Sequence, residues 1–122
     1  EHSKRYCLER TQFGKRIGSF QLVQQKIANM ATEIWASHLK TYDTAAKIDR
    51  GERALKEASM AKYFASETAC KATDEATRIY GAYSYSMEYD VQRFYRDCRF
   101  LLFGGGTSEI LQTIISRECG VY

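Results

Sequence analysis

A run of three glycines near the end of the sequence is the segment best suited to binding an anion. Gly104 to Gly106 lead into Thr107, Ser108 and Glu109, and Thr107 is a favourable N-cap for a helix starting there. Backbone N–H groups and the helix dipole at such a start favour a phosphate or a developing oxyanion. The run lacks the lysine of a nucleoside-triphosphate loop and follows no predicted strand, which excludes that class of site. Turning a corner is the other use of three glycines, and spacing alone leaves both uses open.

Two further segments carry groups that suit a phosphorylated ligand. The first offers Arg10, whose guanidinium fork suits pyrophosphate, beside the aromatic Phe13, with the amide of Gln21 after the next corner. The second, Arg78–Ala82, contains Gly81, where the missing side chain permits close approach of a ligand to the backbone. Taken singly, the first is typical of a solvated helix end and the second of a helix stop.

The remaining reactive side chains favour structural roles. His2 and His38 stand without a carboxylate or cysteine at ligand spacing, so no metal site is expected. The tyrosines between residues 80 and 95 suit half-buried packing more than base stacking, and the arginines between 93 and 99 suit an ion-pair network. Wide spacing predicts reduced, mostly buried thiols for the cysteines, which are Cys7, Cys70, Cys98 and Cys119.

Long helices are the elements that must position these groups. From Phe20 to Ile34 the apolar residues recur at alternating steps of three and four, which places them on one helix face. From Ala54 to Ala76 small residues recur in the same way, as in the seam between antiparallel bundle helices. These patterns predict helices near 19–50 and 53–80, the first capped by Ser19. The apolar residues expected to extend or flank the first stripe are Trp35, Leu39, Tyr42 and Ile48.

Shorter helices are predicted towards both ends of the chain. Residues 1–12 are helix-compatible but have no capping residue ahead of their first turn, so we expect a helix truncated at its start. A basic corner follows, bracketed by Gly14 and Gly18. After an aromatic loop at 81–85, Ser86 is expected to cap a short helix with Glu88 and Asp90 in its first turn.

Composition agrees with a single all-α domain. The 122 residues include no proline and only eight glycines, which disfavours the turn-rich β classes. We therefore predict an antiparallel bundle of four to five helices. A net charge of +3 is too small and too dispersed to indicate nucleic-acid binding. Because no stretch of 18 apolar residues and no signal-peptide pattern occurs, a cytoplasmic protein without membrane insertion is expected.

In order and spacing, these motifs resemble the C-terminal helical domain of the acyl-CoA dehydrogenase family. The resemblance covers nearly the whole chain and is most specific in its second half. It implies the last third of a flavoenzyme, with residues 1–122 as its C-terminal bundle and with helical and β domains upstream of this chain. The matching stretches are Arg10–Ile17, Phe20-Gln21, Ala61-Lys62 to Ala65, Ile79–Gly81, Glu88-Tyr89, Arg93–Asp97 and Gly105–Ile110.

The resemblance implies the oxidation of an acyl thioester at its α and β carbons, with a glutamate removing the α-proton and FAD taking the β-hydride. The backbone around Gly104 and Gly105 would then bind the thioester carbonyl and stabilise its enolate-like charge. Other residues would bind FAD. Thr107, Ser108 and Glu109 would lie against the subunit's own flavin, whereas the adenosine diphosphate half of a neighbouring subunit's FAD would contact Arg10, Phe13, Gln21, Arg78, Gly81 and Ala82.

The implied partners are an acyl-CoA or acyl-carrier-protein thioester and an electron-acceptor flavoprotein. The resemblance also implies a homodimer or homotetramer, to which this domain supplies subunit contacts. Alone, the domain is expected to be inactive.

Two departures from the family pattern bear on these expectations. Many members have the catalytic glutamate where this chain has Gly105, and glycine cannot accept a proton. No catalytic residue is therefore assigned in this chain, and a base upstream of Glu1 is expected, as in a subgroup of the family. Arg78 and Ala82 replace the usual glutamine and second glycine, so the arginine could strengthen pyrophosphate binding or the alanine could obstruct it. The departures also leave open a stand-alone or degenerate, non-catalytic bundle used for protein association.

Overall fold

Five α-helices account for most of the computed structural model, which describes all 122 residues. A short antiparallel strand pair and two 3-10 turns, Ile17–Ser19 and Gly81–Tyr85, lie between helices. The all-α prediction is confirmed. In chain order the elements are α1 (His2–Glu9), β1 (Thr11–Gln12), β2 (Lys15–Arg16), α2 (Gln21–Asp49), α3 (Leu55–Tyr80), α4 (Val91–Phe100) and α5 (Ser108–Glu118).

The central helix is α3, which packs against each of the other four. Its antiparallel partner is α2, as two ion pairs across the interface show. Lys26 pairs with Glu75 near one end, and Lys47 pairs with Glu57 at 3.0 Å near the other. The chain reverses between the two helices at Gly51, whose φ of +76° is readily adopted only by glycine.

The predicted seam of small residues along α3 is confirmed. Ala54, Ala61 and Thr68 are buried, and the intervening seam positions are half-buried. Small side chains at these positions allow the neighbouring helices to approach the axis of α3 closely. By contrast, Trp35 and Tyr42 on α2 are 66% and 71% exposed, so these side chains flank the packed stripe and do not extend it.

A cluster of five buried residues lies at the carboxyl end of α3. Tyr6 packs against this cluster from α1 and stacks on its member Tyr80, with 4.0 Å between the ring centres. The cluster joins α1, the corner after it, the end of α3 and the start of α4. It consequently holds the Arg10 and Gly81 segments at one end of the bundle. Its buried members are Cys7, Ile17, Ile79, Tyr80 and Val91.

The corner after α1 contains a β-hairpin that the sequence analysis did not predict. Thr11 pairs with Arg16 and Gln12 with Lys15 in a two-residue ladder. Both loop residues have positive φ, +52° at Phe13 and +75° at Gly14, as a two-residue hairpin turn of this handedness requires. The ladder is too short for the periodicity of a strand to be visible in the sequence.

Two of the three predicted helix caps are wrong. The N-cap of α2 is Phe20, because Ser19 belongs to a 3-10 turn and its hydroxyl donates to the Arg16 carbonyl at 2.7 Å. Ser86 accepts from the Glu88 N–H at 3.3 Å within a separate turn, and α4 begins only at Val91. Glu88 therefore precedes the first turn of α4. The third predicted cap, Thr107, is confirmed and is described with the site.

All four cysteines are free thiols, and three of them, Cys7, Cys70 and Cys98, are buried. Cys119 is exposed. Burial, together with a hydrogen bond to Cys98, raises the pKa of Cys70 to about 11. At neutral pH this side chain is consequently an uncharged thiol that packs as a small apolar group.

Candidate functional site

The loop between α4 and α5 presents unpaired backbone donors at a helix start. Gly105 and Gly106 have φ of +74° and +99°, which turns the chain sharply into α5. The N–H of Gly105 donates to no backbone acceptor of the chain. A Cβ built on Gly105 would meet only Lys62 Cε, at 4.0 Å, so the space beside this residue is open. The free N–H and the open space suit an anionic oxygen, and the sharp turn also fits the other predicted use, so anion binding by this loop stays a prediction.

Two polar contacts from α3 hold this loop in place. The ammonium of Lys62 donates to the carbonyl of Leu101 at 2.8 Å and to that of Gly106 at 2.6 Å. At the first residue of α5, the hydroxyl of Ser108 donates to Glu67 Oε1 at 2.6 Å. Both ends of the glycine loop are thus tied to the central helix.

The start of α5 carries the N-cap predicted from sequence. Thr107 Oγ1 accepts from the N–H of Ile110 at 3.4 Å, a long bond that leaves other N–H groups of the first turn free. Hydrogen bonds to its own backbone N–H and to the Thr107 hydroxyl lower the pKa of Glu109 below its usual value. Glu109 is consequently ionised at neutral pH and lies exposed beside the loop.

At the opposite end of α3, the Arg10 segment and the Gly81 segment come together. Arg10 ends α1 in an extended conformation, and its guanidinium lies 5.1 Å from the centre of the Tyr83 ring. Tyr83 belongs to the 3-10 turn that begins at Gly81. The cation–π contact therefore joins two segments that lie about seventy residues apart in the sequence.

The other residues predicted at this end are exposed and free to contact a ligand. Phe13, at the hairpin tip, is 91% exposed and meets Phe20 edge to face, with 6.2 Å between the ring centres. Gln21, the first residue of α2, follows Phe20 and is also exposed. Phe20 thus links the exposed ring of Phe13 to the start of α2, where Gln21 lies.

The segment Arg78–Ala82 ends α3 with an open backbone. Gly81 has φ of +59°, and a Cβ built there would meet no atom within 4 Å. Arg78 is exposed, and its Nε donates to the Asp74 carboxylate at 2.8 Å, which raises the pKa of the guanidinium further above its usual value. Its terminal nitrogens remain available to an anion. Ala82 is exposed in the turn.

These predicted residues therefore form two groups. The glycine loop is anchored at Lys62, whereas the second group surrounds the end of α3 near Arg78. Sixteen residues of helix, about 24 Å, separate the two positions on α3. One copy of the chain thus presents two separate groups of candidate residues, here called half-sites, and they do not form one pocket.

Three residues that contribute to this geometry were not singled out as site residues in the sequence. Lys62 and Glu67 hold the glycine loop, and Tyr83 contacts Arg10. Lys62 and Glu67 are five residues apart on α3, with no local motif that relates them to a loop about forty residues later.

No helix in the chain combines the length and apolar character needed to cross a membrane.

Comparison with known proteins gives a consistent result along the chain. Residues 1–120 match the family described as acyl-CoA dehydrogenase, C-terminal domain. Benzylmalonyl-CoA dehydrogenase of Aromatoleum aromaticum is 50% identical over 114 residues, which cover 93% of this chain and 30% of that protein. The CarC subunit of the caffeyl-CoA reductase-Etf complex of Acetobacterium woodii is 46% identical over 112 residues, covering 92% of this chain and 30% of the relative.

The fold comparison agrees with the sequence comparison. The crystal structure of an acyl-CoA dehydrogenase from Geobacillus kaustophilus superimposes with a TM-score of 0.96 at 37% identity. The match covers 98% of this chain and 32% of that chain. The chain thus spans about 30% of the length of the curated relatives it matches.

Proposed function

The chain belongs to the acyl-CoA dehydrogenase family, as its C-terminal domain, and we propose that it serves a flavin-dependent enzyme that oxidises acyl thioesters between their α and β carbons. The domain contributes to FAD binding, to thioester binding and to subunit contacts, and it is inactive alone. The observation that carries this proposal is the glycine loop held at the start of α5, because its donors suit the charge that this reaction develops.

The glycine loop acts on the thioester carbonyl. Removing the α-proton places negative charge on the carbonyl oxygen, and a fixed backbone donor stabilises that charge more than it stabilises the neutral carbonyl. The N–H of Gly105 is unpaired within the backbone and lies in a loop tied to α3 by Lys62. Gly105 also leaves open space beside the backbone, in which part of the acyl thioester can lie.

The residues at the end of α3 fit the adenosine diphosphate half of FAD. Arg10 and Arg78 supply guanidinium donors suited to a pyrophosphate, and Gly81 leaves its backbone uncovered. Phe13 and Gln21 offer an exposed ring and an amide to the rest of the nucleotide. When bound, FAD supplies the acceptor for the β-hydride. The 24 Å separation of the two half-sites supports the view that one copy contacts two FAD molecules, with Thr107, Ser108 and Glu109 beside its own flavin.

The catalytic base is proposed to lie outside this chain. Gly105 has no side chain to accept a proton, and the only atom near a Cβ built there belongs to Lys62. The loop therefore supplies electrostatic stabilisation, and a carboxylate from another part of the protein removes the α-proton.

The partners follow from the same chemistry. We propose coenzyme A or acyl-carrier-protein thioesters as substrates and a homodimer or homotetramer as the assembly. An electron-acceptor flavoprotein is proposed as the redox partner, supported by the relative that is named as a subunit of an Etf complex. Four free thiols support a cytoplasmic location.

Purification of the full-length protein tests this proposal. We expect a yellow protein whose visible flavin absorbance bleaches when benzylmalonyl-CoA, glutaryl-CoA, butyryl-CoA or octanoyl-CoA is added anaerobically, and which passes the electrons to a dye. Because one relative is named as a dehydrogenase and another as a reductase, the reverse assay with reduced dye and the enoyl thioester is run in parallel.

A colourless protein that is inactive in both assays would contradict the proposal. That result would favour the other candidate, a non-catalytic bundle used for association, to which the missing carboxylate at Gly105 points.

A further inference from the structure

We propose that Lys62 is a positioning residue for thioester oxidation, because it fixes the glycine loop whose N–H groups bind the thioester oxygen. This inference rests on the proposed function for the role of the loop. The hydrogen bonds of the Lys62 ammonium are to two carbonyls at opposite ends of the loop, Leu101 at 2.8 Å and Gly106 at 2.6 Å.

The two carbonyls belong to two different helix ends. Leu101 directly follows α4, where unpaired carbonyls and the negative end of the helix dipole favour a cation. Gly106 directly precedes Thr107, the N-cap of α5. Lys62 therefore joins the end of one helix to the start of the next across the intervening loop. We call this pair of hydrogen bonds, from Lys62 to the Leu101 and Gly106 carbonyls, the clasp.

The loop needs such a clasp because of its composition. Three successive glycines have the largest backbone entropy of any residues, so a free loop samples many orientations of the Gly105 peptide. Hydrogen bonds from a charged donor are about twice as strong as neutral ones. The Leu101 and Gly106 carbonyls lie on either side of the Gly104–Gly105 peptide, so holding both of them limits the orientations open to the Gly105 N–H between them.

The charge of Lys62 has no carboxylate to neutralise it. None of the ion pairs of the chain includes this lysine. Its Cε lies 4.0 Å from a Cβ built on Gly105, so the ammonium is close to the peptide that binds the oxygen. Lys62 consequently adds a positive potential at the place where negative charge develops.

The test compares Lys62→Met with Lys71→Met in the full-length protein. Lys71 lies on the same helix but pairs with Glu33, far from the loop, so it controls for the loss of a lysine from α3. For Lys62→Met we expect the rate of flavin reduction per bound flavin to fall about ten- to a hundredfold with KM nearly unchanged, because misplacing a donor by about 1 Å costs rate. Lys71→Met is expected to match the wild type. The substrate probe is octanoyl-CoA, measured by anaerobic stopped flow.

A second readout examines the clasp without relying on catalysis. Amide hydrogen exchange of the peptide containing residues 101–107 is expected to be about tenfold faster in Lys62→Met than in the wild type, and unchanged in Lys71→Met. Faster exchange in Lys62→Met, together with a wild-type protein whose flavin no thioester reduces, would remove the proposed function and retain the clasp. Unchanged exchange would overturn the clasp whatever the activity.

Two results separate positioning from mere support of the fold. If Lys62→Met loses flavin or unfolds, Lys62→Gln replaces it, because its polar amide is one bond shorter and cannot bridge both carbonyls. The same loss of rate is then expected. A wild-type rate per bound flavin in either variant would overturn the inference, even if the melting temperature fell.

Discussion

Neighbouring glycines in the loop before α5 differ in how much an added side chain would lower the free energy of unfolding. Gly105 has φ of +74°, so Gly105→Ala should destabilise the protein by about 1–2 kcal/mol although the space beside it is open. At Gly104 a Cβ would lie 2.7 Å from Phe100 Cε1, but the ring is 70% exposed and can rotate away. Gly104→Ala should therefore cost less than about 1 kcal/mol. Thermal unfolding of the two variants measures the difference, and an equal loss would contradict it.

The proposed contacts to FAD depend most directly on the charge of Arg10. Arg10→Gln removes the guanidinium and should weaken FAD binding about ten- to a hundredfold, because hydrogen bonds to charged groups contribute about 1.5–3 kcal/mol. Fluorescence titration of the apoprotein of the full-length enzyme with FAD provides the measurement.

Tyr83→Phe supplies the matched control for Arg10, because it keeps the ring under the guanidinium at 5.1 Å and removes only a hydroxyl. Its FAD affinity should equal that of the wild type. If Arg10→Gln also binds FAD normally, the assignment of this end of the bundle to the pyrophosphate fails.

Glu109 makes the contribution of the start of α5 to folding stability dependent on pH. Hydrogen bonds in the folded state hold its pKa below the ordinary 4.5, so its ionised form favours folding at pH values above the unfolded pKa. That contribution is lost as pH falls through the folded pKa. Glu109→Gln should therefore melt at a lower temperature than the wild type near pH 7, and the gap should close below about pH 4. A difference in melting temperature that stays constant from pH 7 to pH 3 would show that the ionised Glu109 carboxylate is not the source of the stability.

At the scale of the element, α5 depends on its first residues. It is a short helix, Ser108–Glu118, with one buried residue, Leu111, so local capping matters more than it would in α3. Thr107→Ala removes the side-chain cap and should cost about 0.5–1 kcal/mol, the lower part of the usual range, because the bond to the Ile110 N–H is long at 3.4 Å.

Denaturant titration of both variants measures this cost, and Thr107→Ser, which keeps the hydroxyl, should be close to the wild type. Equal stability of the alanine and serine variants would mean that the hydroxyl contributes nothing to α5. In that case Ser108, which is bonded to Glu67, would be the residue that fixes the helix start.

Element boundaries also show where local patterns stop predicting structure. The ends of α2 and α3 were predicted within two residues, because long apolar and small-residue periodicities identify a helix regardless of its neighbours. The caps Ser19 and Ser86 were wrong, because each serine hydroxyl bonds within a tight turn whose path is set by packing on the buried cluster.

At the scale of the whole molecule, α2 leaves a large apolar face uncovered. Trp35, Leu39 and Tyr42 are 66%, 50% and 71% exposed, although α2 and α3 pack along much of their length. A face of this kind is typical of a surface that another domain or subunit covers. It supports the proposed role of this domain in subunit contacts.

Introducing charge on this face should weaken the assembly. We expect the Trp35→Glu, Leu39→Glu double variant of the full-length protein to shift towards smaller species in sedimentation velocity, because burying unpaired carboxylates is costly. Gln25→Glu, at another exposed position of α2, should leave the sedimentation profile unchanged. An unchanged profile for the double variant would place the subunit contacts elsewhere.

The candidate site was predictable as separate pieces. Gly104 to Glu109 could be identified as a helix start able to bind an anion, and Arg10 and Gly81 as groups suited to a phosphorylated ligand, because each property resides in a few adjacent residues. Lys62 could not be connected to Gly106 in this way, since the two lie 44 residues apart and meet only through the packing of α3.

The sequence by itself determined the helical class, the two long helices and the family, because these depend on periodicity and on the order of motifs along the chain. Only the tertiary structure decided that Arg10 meets Tyr83, that Lys62 closes the glycine loop, and that the two half-sites stand about 24 Å apart on α3. The physical reason is that such contacts join residues distant in sequence, whose approach depends on how the helices pack together and not on the local preferences of either segment.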